Sequence, residues 1–308
     1  MIFTLTLNPA LDHELTVPEL AFDKPLRATD FRVDCGGKGF NVSRALSALG
    51  EKSIALGFSG GKTGERLEAE LESLGVTRDL VQIAGETRIN VSIVTDDHKH
   101  YIKVNEPGPT ITPAEQDALL QKIRTLAQSG DWWVLSGSLP PGVSSDFYAT
   151  VIKEVQSVGA KALLDTSGDP LRYGCEAIPF MVKPNESEAT ALTGVKIEAI
   201  DDVREAADQI HALGVEIVII SLGRMGALLS DSEHTWLAEP PLIIEHNPVG
   251  AGDALIAGLV WGLCHNLSWP LALRWGVACG AAAASLDGTA MGSHSLVEQL
   301  VPQVQIKT

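Results

Sequence analysis

Cations are scarce in this 308-residue chain: 23 Lys and Arg stand against 39 Asp and Glu, a formal net charge of −16. That balance argues against nucleic acid or an anionic membrane as the main partner, because both repel an acidic surface. An acidic chain that binds anionic ligands must gather its few cations locally. Cysteine is scarce too. Cys35, Cys175, Cys264 and Cys279 show neither metal-ligand nor redox spacing, so free buried thiols are expected. Long apolar runs are absent. The stretches after Ala254 are broken by His265, Asn266 and Arg274 and are each too short to span a bilayer. The first residues lack a basic segment followed by an apolar core, so no signal peptide is expected and the chain reads as cytoplasmic. There is no internal repeat and no low-complexity linker. What is present is 45% hydrophobic residues, enough for a large core in one or two domains.

Short strand-like segments alternate with longer helical ones. Ile2–Leu7 is strand-like and ends at Asn8-Pro9, with Asp12 expected in a loop at its carboxyl end. Strand-like pieces follow at Glu14–Val17 and Phe31–Cys35. Ser53–Phe58, Trp132–Ser136, Ala162–Asp165, Met181–Lys183 and Glu216–Ser221 read as strands alternating with helical patterns, the last leading into a hairpin of Ala227–Ser230 and Thr235–Leu237. Thr112-Pro113-Ala114-Glu115 is a capping sequence for a helix to about Gln128. Repeated βα units imply a mostly parallel sheet covered by helices on both faces. Residues 88–95 differ: Ile89, Val91 and Ile93 alternate with Arg88, Asn90 and Ser92. Asp96-Asp97-His98 then turns the chain and Lys99–Asn105 returns, a hairpin expected to join the 12–36 segments in a small antiparallel sheet.

Two glycine-rich turns carry the chemistry. In the first, Gly36-Gly37-Lys38-Gly39 opens a helical segment from Phe40 to Gly50. In the second, Gly250-Ala251-Gly252-Asp253 lies between Leu242-Ile243-Ile244, read as a short buried strand, and the apolar helix Leu255–Leu263. Small residues at a helix N-terminus let backbone N–H groups converge on an anion, and the helix dipole adds positive charge there. An acid on that lip is placed to take a proton from an attacking hydroxyl. A plain tight turn with a dipole-compensating acid is the competing reading. Gly61-Lys62-Thr63 resembles the end of a P-loop, but Leu56 stands where the first glycine belongs, so that reading is rejected.

The turn at Gly250–Asp253, the segment Lys183-Pro184-Asn185-Glu186-Ser187-Glu188, Gly36–Asn41 and the N-terminal Thr6-Leu7-Asn8-Pro9-Ala10-Leu11-Asp12 occur together. With Ser136–Gly142 and Val218–Gly223 they make the chain similar, nearly end to end, to the ribokinase-like carbohydrate kinases. The likeness is to the phosphofructokinase-B branch, and most to its 1-phosphofructokinase and tagatose-6-phosphate kinase groups. The resemblance implies a single domain over 1–308. Its fold would be an α/β three-layer α/β/α sandwich with a mostly parallel central sheet. A discontinuous antiparallel β lid would come from about 12–36 and 87–106.

It further implies that ATP and Mg²⁺ serve to phosphorylate a ketohexose monophosphate, tagatose 6-phosphate or fructose 1-phosphate, with fructose 6-phosphate the alternative. Asp253 would be the base, and Gly250, Ala251 and Gly252 the anion hole. Asn185 and Glu188 would organise Mg²⁺, although the same pair is also a good helix cap. Lys183, Asn185, Ser221, Gly223 and Gly226 would contact ATP, or else be ordinary tight turns. Asp12 and Asn41 would hold sugar hydroxyls, Gly37 and Gly39 would let the backbone come close, and Ser138 would lie nearby. Lys38, Arg27 and Arg88 would meet the phosphate already on the substrate. Two departures stand out: Ala254 replaces a frequent Ser or Thr, and Asp23-Lys24-Pro25 replaces a frequent Gly-Lys pair. If the lid's polar face covers the substrate, its apolar face (Ile89, Val91, Ile93, Ile102, Val104) needs another cover, which predicts a homodimer through the lids. A nucleoside kinase, with an apolar pocket in place of the cations, and a silent sugar-phosphate or nucleotide binding protein are the remaining alternatives.

Overall fold

The computed structural model describes all residues except 98 and 99, so the predicted turn at His98 and start of the return strand at Lys99 lie outside the described residues. The chain runs β1 (Ile2–Thr6), β2 (Ala10–Val17), β3 (Asp30–Gly36), α1 (Lys38–Ala48), β4 (Ser53–Ser59) and α2 (Gly61–Ser73). After β5 (Thr77–Arg78) and β6 (Val81–Gln82) come β7 (Arg88–Thr95), β8 (Tyr101–Asn105) and α3 (Pro113–Leu126). Then follow β9 (Trp132–Ser136), α4 (Phe147–Ser157), β10 (Lys161–Asp165), α5 (Gly168–Glu176), β11 (Met181–Val182), α6 (Glu186–Thr193) and α7 (Ile200–His211). The last part holds β12 (Ile217–Ser221), β13 (Ala227–Ser230), β14 (Thr235–Glu239), α8 (Ala251–Cys264), α9 (Trp269–Ala284), α10 (His294–Leu300) and β15 (Gln305–Lys307).

The large sheet has the order β15-β14-β13-β12-β11-β10-β9-β1-β4-β5, with β6 also on β4. From β12 to β5 every pairing is parallel, and β13, β14 and β15 extend one edge antiparallel. Alternate residues of the parallel strands feed two cores, which is why these strands read as continuous apolar runs. Phe3, Leu5, Trp133, Leu135, Leu164 and Val218 pack with α3, α4, α5 and α7 on one face. Ile2, Trp132, Val134, Leu163, Met181 and Ile219 pack with α1, α8, α9 and α10 on the other. The result is the expected three-layer α/β/α sandwich.

The small sheet has the order β3-β2-β7-β8. Its two outer pairings are antiparallel, but β2 and β7 run parallel, so the lid is mixed and not purely antiparallel as expected. The two strands are separated by β3, α1, β4, α2, β5 and β6, so their direction is set by the crossover and not by a local turn. Asp12 lies inside β2, not in a loop after β1. The register places Asp12, Glu14, Arg32, Asp34, Asn90 and Ser92 on one face and Leu11, Val33, Cys35, Ile89, Val91 and Ile93 on the other. Leu11, Cys35, Val33 and Ile89 are already covered by Phe40 of α1 and Leu67 and Leu71 of α2. The uncovered apolar strip is therefore narrower than expected, with Phe31, Ile102 and Val104 exposed at 52%, 36% and 60%.

Leu242-Ile243-Ile244 is not a strand. Leu242 and Ile244 are exposed at 101% and 80%, on the loop between β14 and α8. A three-residue apolar run specifies burial only when a partner strand is available, and β14 already pairs with β13 and β15.

Candidate active site

The carboxyl ends of β1, β9, β10, β11 and β12 and the N-termini of α1 and α8 meet at one edge of the large sheet. Asp165, the last residue of β10, sits there fully buried. Its Oδ1 is 3.1 Å from Lys183 Nζ and its Oδ2 is 3.3 Å from Lys38 Nζ. Burial opposes ionisation of Asp165, but the two ammonium groups outweigh it and hold its carboxyl below the usual range. Burial likewise works against the Lys38 charge, yet Asp165, Asp253 and Glu188 keep its pKa above the ordinary lysine value. Asp165 carries no motif in the sequence and was missed there.

Asp253 occupies the first turn of α8 and is 6% exposed. Its Oδ2 accepts a 2.8 Å hydrogen bond from Asn41 Nδ2. Burial, followed by repulsion from Asp165, pushes its carboxyl up to about 7, against the opposing effects of Lys38, Asn41 and Lys183. Gly250, at φ 85, is the left-handed residue that lets the chain enter α8. Ala251 N–H turns back onto Pro248 O at 3.2 Å, so it is spent locally and the predicted anion hole narrows to the following amides. Helix geometry leaves the Gly252 and Asp253 N–H groups without intrahelical partners. Lys183 Nζ adds a cation there, 3.7 Å from where a Cβ on Gly252 would stand.

The first glycine turn works differently. A Cβ on Gly37 would lie 2.7 Å from Thr6 Cγ2, and one on Gly39 would lie 2.6 Å from Thr6 Oγ1. Phe40 N–H donates to the same Thr6 Oγ1 at 3.0 Å. These glycines seat α1 against β1, a packing reason that stands beside the predicted approach to a ligand. Asn41, predicted to meet a sugar hydroxyl, donates its Nδ2 to Asp253 Oδ2.

On the lid side, Asp12 Oδ1 accepts a 2.8 Å bond from Asn90 Nδ2, and a Cβ on Gly36 would lie 2.5 Å from Asp12 Oδ2. Asn90, which sequence reasoning used only for its alternation, thus orients the predicted sugar-binding carboxylate. Arg88 donates from Nη1 to Glu106 O at 2.6 Å and from Nη2 to Asn8 O at 2.9 Å, while its buried Nε has no partner among the described residues. Ser138 Oγ accepts from Asn8 Nδ2 at 3.4 Å, on a loop held by Tyr148 and Thr166 hydroxyls donating to Gly137 O. Arg88, Ser138 and Asn8 line a 480 Å³ cavity. Arg27 is not brought to this group by any hydrogen bond or ion pair among the described residues; it is exposed on the β2–β3 loop.

A second cavity of 890 Å³ adjoins the α8 N-terminus and is lined by Asn185, Ser221, Gly223, Gly226, Ala251 and Gly252, with Leu255, Val277 and Ala281 as apolar wall. Four of the five predicted ATP contacts border it; Lys183 instead faces Asp165. The exposed loop after β14 contributes Leu242 and Ile243 to its rim, and Arg224 spans the mouth to Glu245 through bonds of 3.0 and 3.2 Å. Asn185 and Glu188 form a reciprocal cap on α6: Asn185 Oδ1 accepts from Glu188 N–H and Glu188 Oε2 from Asn185 N–H, both at 2.8 Å. Glu188 Oε1 takes no part in the cap, so capping and a second duty are compatible. No group of three metal-ligating side chains occurs among the described residues.

Such an edge can hold a polyanion at the α8 N-terminus between two lysines, beside a carboxylate poised to exchange a proton. A model of the pfkB family carbohydrate kinases matches residues 6–295. The chain belongs to that family. It is 35% identical over 306 residues to the 1-phosphofructokinases of Vibrio cholerae and Bacillus subtilis, covering 99% of this chain and 96% and 99% of theirs. It superimposes on Escherichia coli phosphofructokinase-2 in complex with potassium with a TM-score of 0.93, at 33% identity and 98% coverage of both chains. As a pfkB carbohydrate kinase it is a phosphotransferase with an alcohol acceptor, and ATP is the donor this family implies. No helix among the described residues is long and apolar enough to cross a membrane.

Proposed function

We propose that this chain transfers the γ-phosphoryl group of ATP to the 6-hydroxyl of fructose 1-phosphate, giving the 1,6-bisphosphate. The observation that carries the transfer is the convergence of Asp253, Lys38 and Lys183 at the α8 N-terminus, between a cavity of nucleotide size and the lid. The choice of sugar follows the two curated relatives, which match over nearly the whole chain.

In this reading ATP lies in the larger cavity, its base against Val277, Ala281 and Leu255 and its phosphates toward Gly252. Asp253 takes the proton of the acceptor hydroxyl as that oxygen bonds to the γ-phosphorus and the bond to the β–γ bridging oxygen breaks. The Gly252 and Asp253 amides, with Lys183 and Lys38, stabilise the charge spread over the moving group. Lys38 is thereby assigned to the transferred phosphoryl group, and Arg88 to the phosphate the sugar already carries. Asp12, held by Asn90, accepts sugar hydroxyls. The free oxygen of Glu188 and the nearby Asn185 suit Mg²⁺, which favours hard oxygen ligands and keeps several waters. Bound there with the nucleotide, Mg²⁺ would neutralise phosphate charge.

Comparing kcat/KM with ATP for fructose 1-phosphate, fructose 6-phosphate and tagatose 6-phosphate tests the substrate. Fructose 1-phosphate should lead by about 100-fold or more, since a misplaced hydroxyl or phosphate leaves buried polar partners unpaired. A lead by either 6-phosphate overturns the assignment.

The exposed strip of Phe31, Ile102 and Val104 supports a homodimer joined through the lids. Val104 is exposed enough for Val104→Lys to fold, so an unchanged dimer by sedimentation would discard this arrangement.

A further inference from the structure

We propose that Arg44 is a positioning residue for the transfer: it fixes the amide of Asn41 so that one oxygen of Asp253 stays occupied and the other faces the acceptor hydroxyl. This rests on the reading of Asp253 as the base. Asn41 and Arg44 are three residues apart on α1 and so share one of its faces. Arg44 is 8% exposed. Its Nη1 donates to Asn41 Oδ1 at 3.1 Å, to Thr289 Oγ1 at 3.1 Å and to Cys35 O at 3.2 Å, and its Nη2 donates to Thr289 O at 2.9 Å.

A guanidinium has donors only, so the end of the Asn41 amide that faces it must be the carbonyl oxygen. The other end is then the NH₂ group, and it donates to Asp253 Oδ2 at 2.8 Å. Asn41 and Asp253 are each 6% exposed, which shields this bond from bulk water. An oxygen that accepts such a bond is a poor seat for a proton, so the acceptor proton goes to Oδ1. Without Arg44 the amide is free to flip and present its carbonyl to Asp253, which favours the protonated acid.

The two backbone anchors of Arg44 also matter. Cys35 stands at the end of lid strand β3, and Thr289 lies in the turn between α9 and α10. Arg32, on the same strand, packs so closely on that turn that a Cβ on Gly288 would lie 2.3 Å from its Cζ. Arg44 thus holds Asn41 where the root of the lid meets the C-terminal helices. The charged groups acting on Asp253 from the elements around it are Asp165 at the end of β10, Lys38 on α1 and Lys183 after β11.

The test compares Arg44→Gln, whose amide donates or accepts, with Arg44→Lys, which only donates, each with and without Asn41→Ala. Arg44→Gln should lower kcat at saturating ATP and sugar phosphate by about 10–100-fold. It should also move the rising limb of the kcat/KM profile to higher pH. Arg44→Lys should recover most of the rate and keep the limb. In the Asn41→Ala background, Arg44→Gln should add little further loss, because the two act as one unit. Additive losses, an unmoved limb in Arg44→Gln, or an Arg44→Lys enzyme as slow as Arg44→Gln would overturn the inference. If Arg44→Gln does not fold, Arg44→Lys decides alone: a loss above about tenfold rejects the inference, a smaller one upholds it. Asp253→Asn serves as control. If it keeps near-normal turnover the base assignment fails; if it is inactive and the Arg44 outcomes are the wrong ones, only the positioning role fails.

Discussion

At the start of α1 a Cβ on Gly39 would lie 2.6 Å from Thr6 Oγ1 and 2.8 Å from Leu5 O, whereas at the start of α8 the nearest atom to a Cβ on Gly252 is Lys183 Nζ at 3.7 Å. Both turns read alike in the sequence, as small residues at a helix N-terminus. In the first, the protein itself fills the space a side chain would need. In the second, the protein leaves that space open and surrounds it with a lysine, orphan amides and a buried carboxylate. A glycine whose absent side chain is replaced by the protein's own atoms serves packing. One whose space stays empty serves whatever arrives from outside. The comparison separates two roles that the motif alone merges.

The hardest blow to the α8 side is Asp253→Asn. The amide is nearly isosteric and can still meet Asn41, but it cannot take a proton, so turnover should fall by about 10²–10⁴-fold. Measured kcat with substrate binding retained would bear this out; near-normal turnover would return the α8 turn to the same structural category as the α1 turn.

The glycine pair gives the next largest effect and divides it between two observables. Gly252→Ala should fold normally, since the new methyl meets ordinary contact distances and alanine favours a helix. Its kcat should nevertheless fall by about 10–100-fold, because the methyl enters the space assigned to the phosphoryl group. Gly39→Ala should do the reverse. Forcing a methyl against Thr6 and Leu5 should cost about 1–3 kcal/mol and lower Tm by about 2–10 °C, with smaller change in the activity of the folded fraction. A stable, inactive Gly39→Ala with an unstable, active Gly252→Ala would invert the assignment.

Much of this edge was legible in the sequence because its chemistry rests on unusual local patterns. Gly250–Asp253 and Asn185–Glu188 announce themselves through spacing, and both stand at helix starts as expected. Asp165 was not legible: an aspartate closing an apolar strand looks like any strand end, and only the approach of Lys38 and Lys183 from elements far apart in sequence gives it meaning. Arg44 likewise resembles a solvated helix cation until α1 is packed against the α9–α10 turn. The lid's polar and apolar faces followed from alternation, but the parallel pairing of β2 with β7 depends on a long crossover that alternation does not encode. Leu242–Ile244 failed for a related reason: apolar character marks contact with something, and here Leu242 and Ile243 border a cavity, with Ile243 also packed on the edge of the core.

The finest discrimination between the two turns is the pH dependence. Burial and Asp165 push the Asp253 carboxyl up to about 7, while Lys38, drawn above its ordinary value, stays charged throughout the working range. A base must be ionised to act, so kcat/KM should rise with pH through about 7 and flatten above about 8, falling nearly tenfold per unit below 6. The limb belongs to the coupled set of Asp253, Asp165 and the two lysines, so an apparent value is what the experiment reads. Stability runs the other way. The folded pKa of Asp253 lies above its unfolded value, so the native state holds the extra proton between pH 4 and 7 and loses the associated stability as pH rises through that window. Asp253→Asn removes this loss, and its Tm relative to the unaltered chain should therefore be more favourable at pH 8 than at pH 5. A limb near pH 4, or a Tm difference independent of pH, would mean that Asp253 ionises as freely as a surface carboxylate. The α8 turn would then hold no more than a dipole-compensating acid.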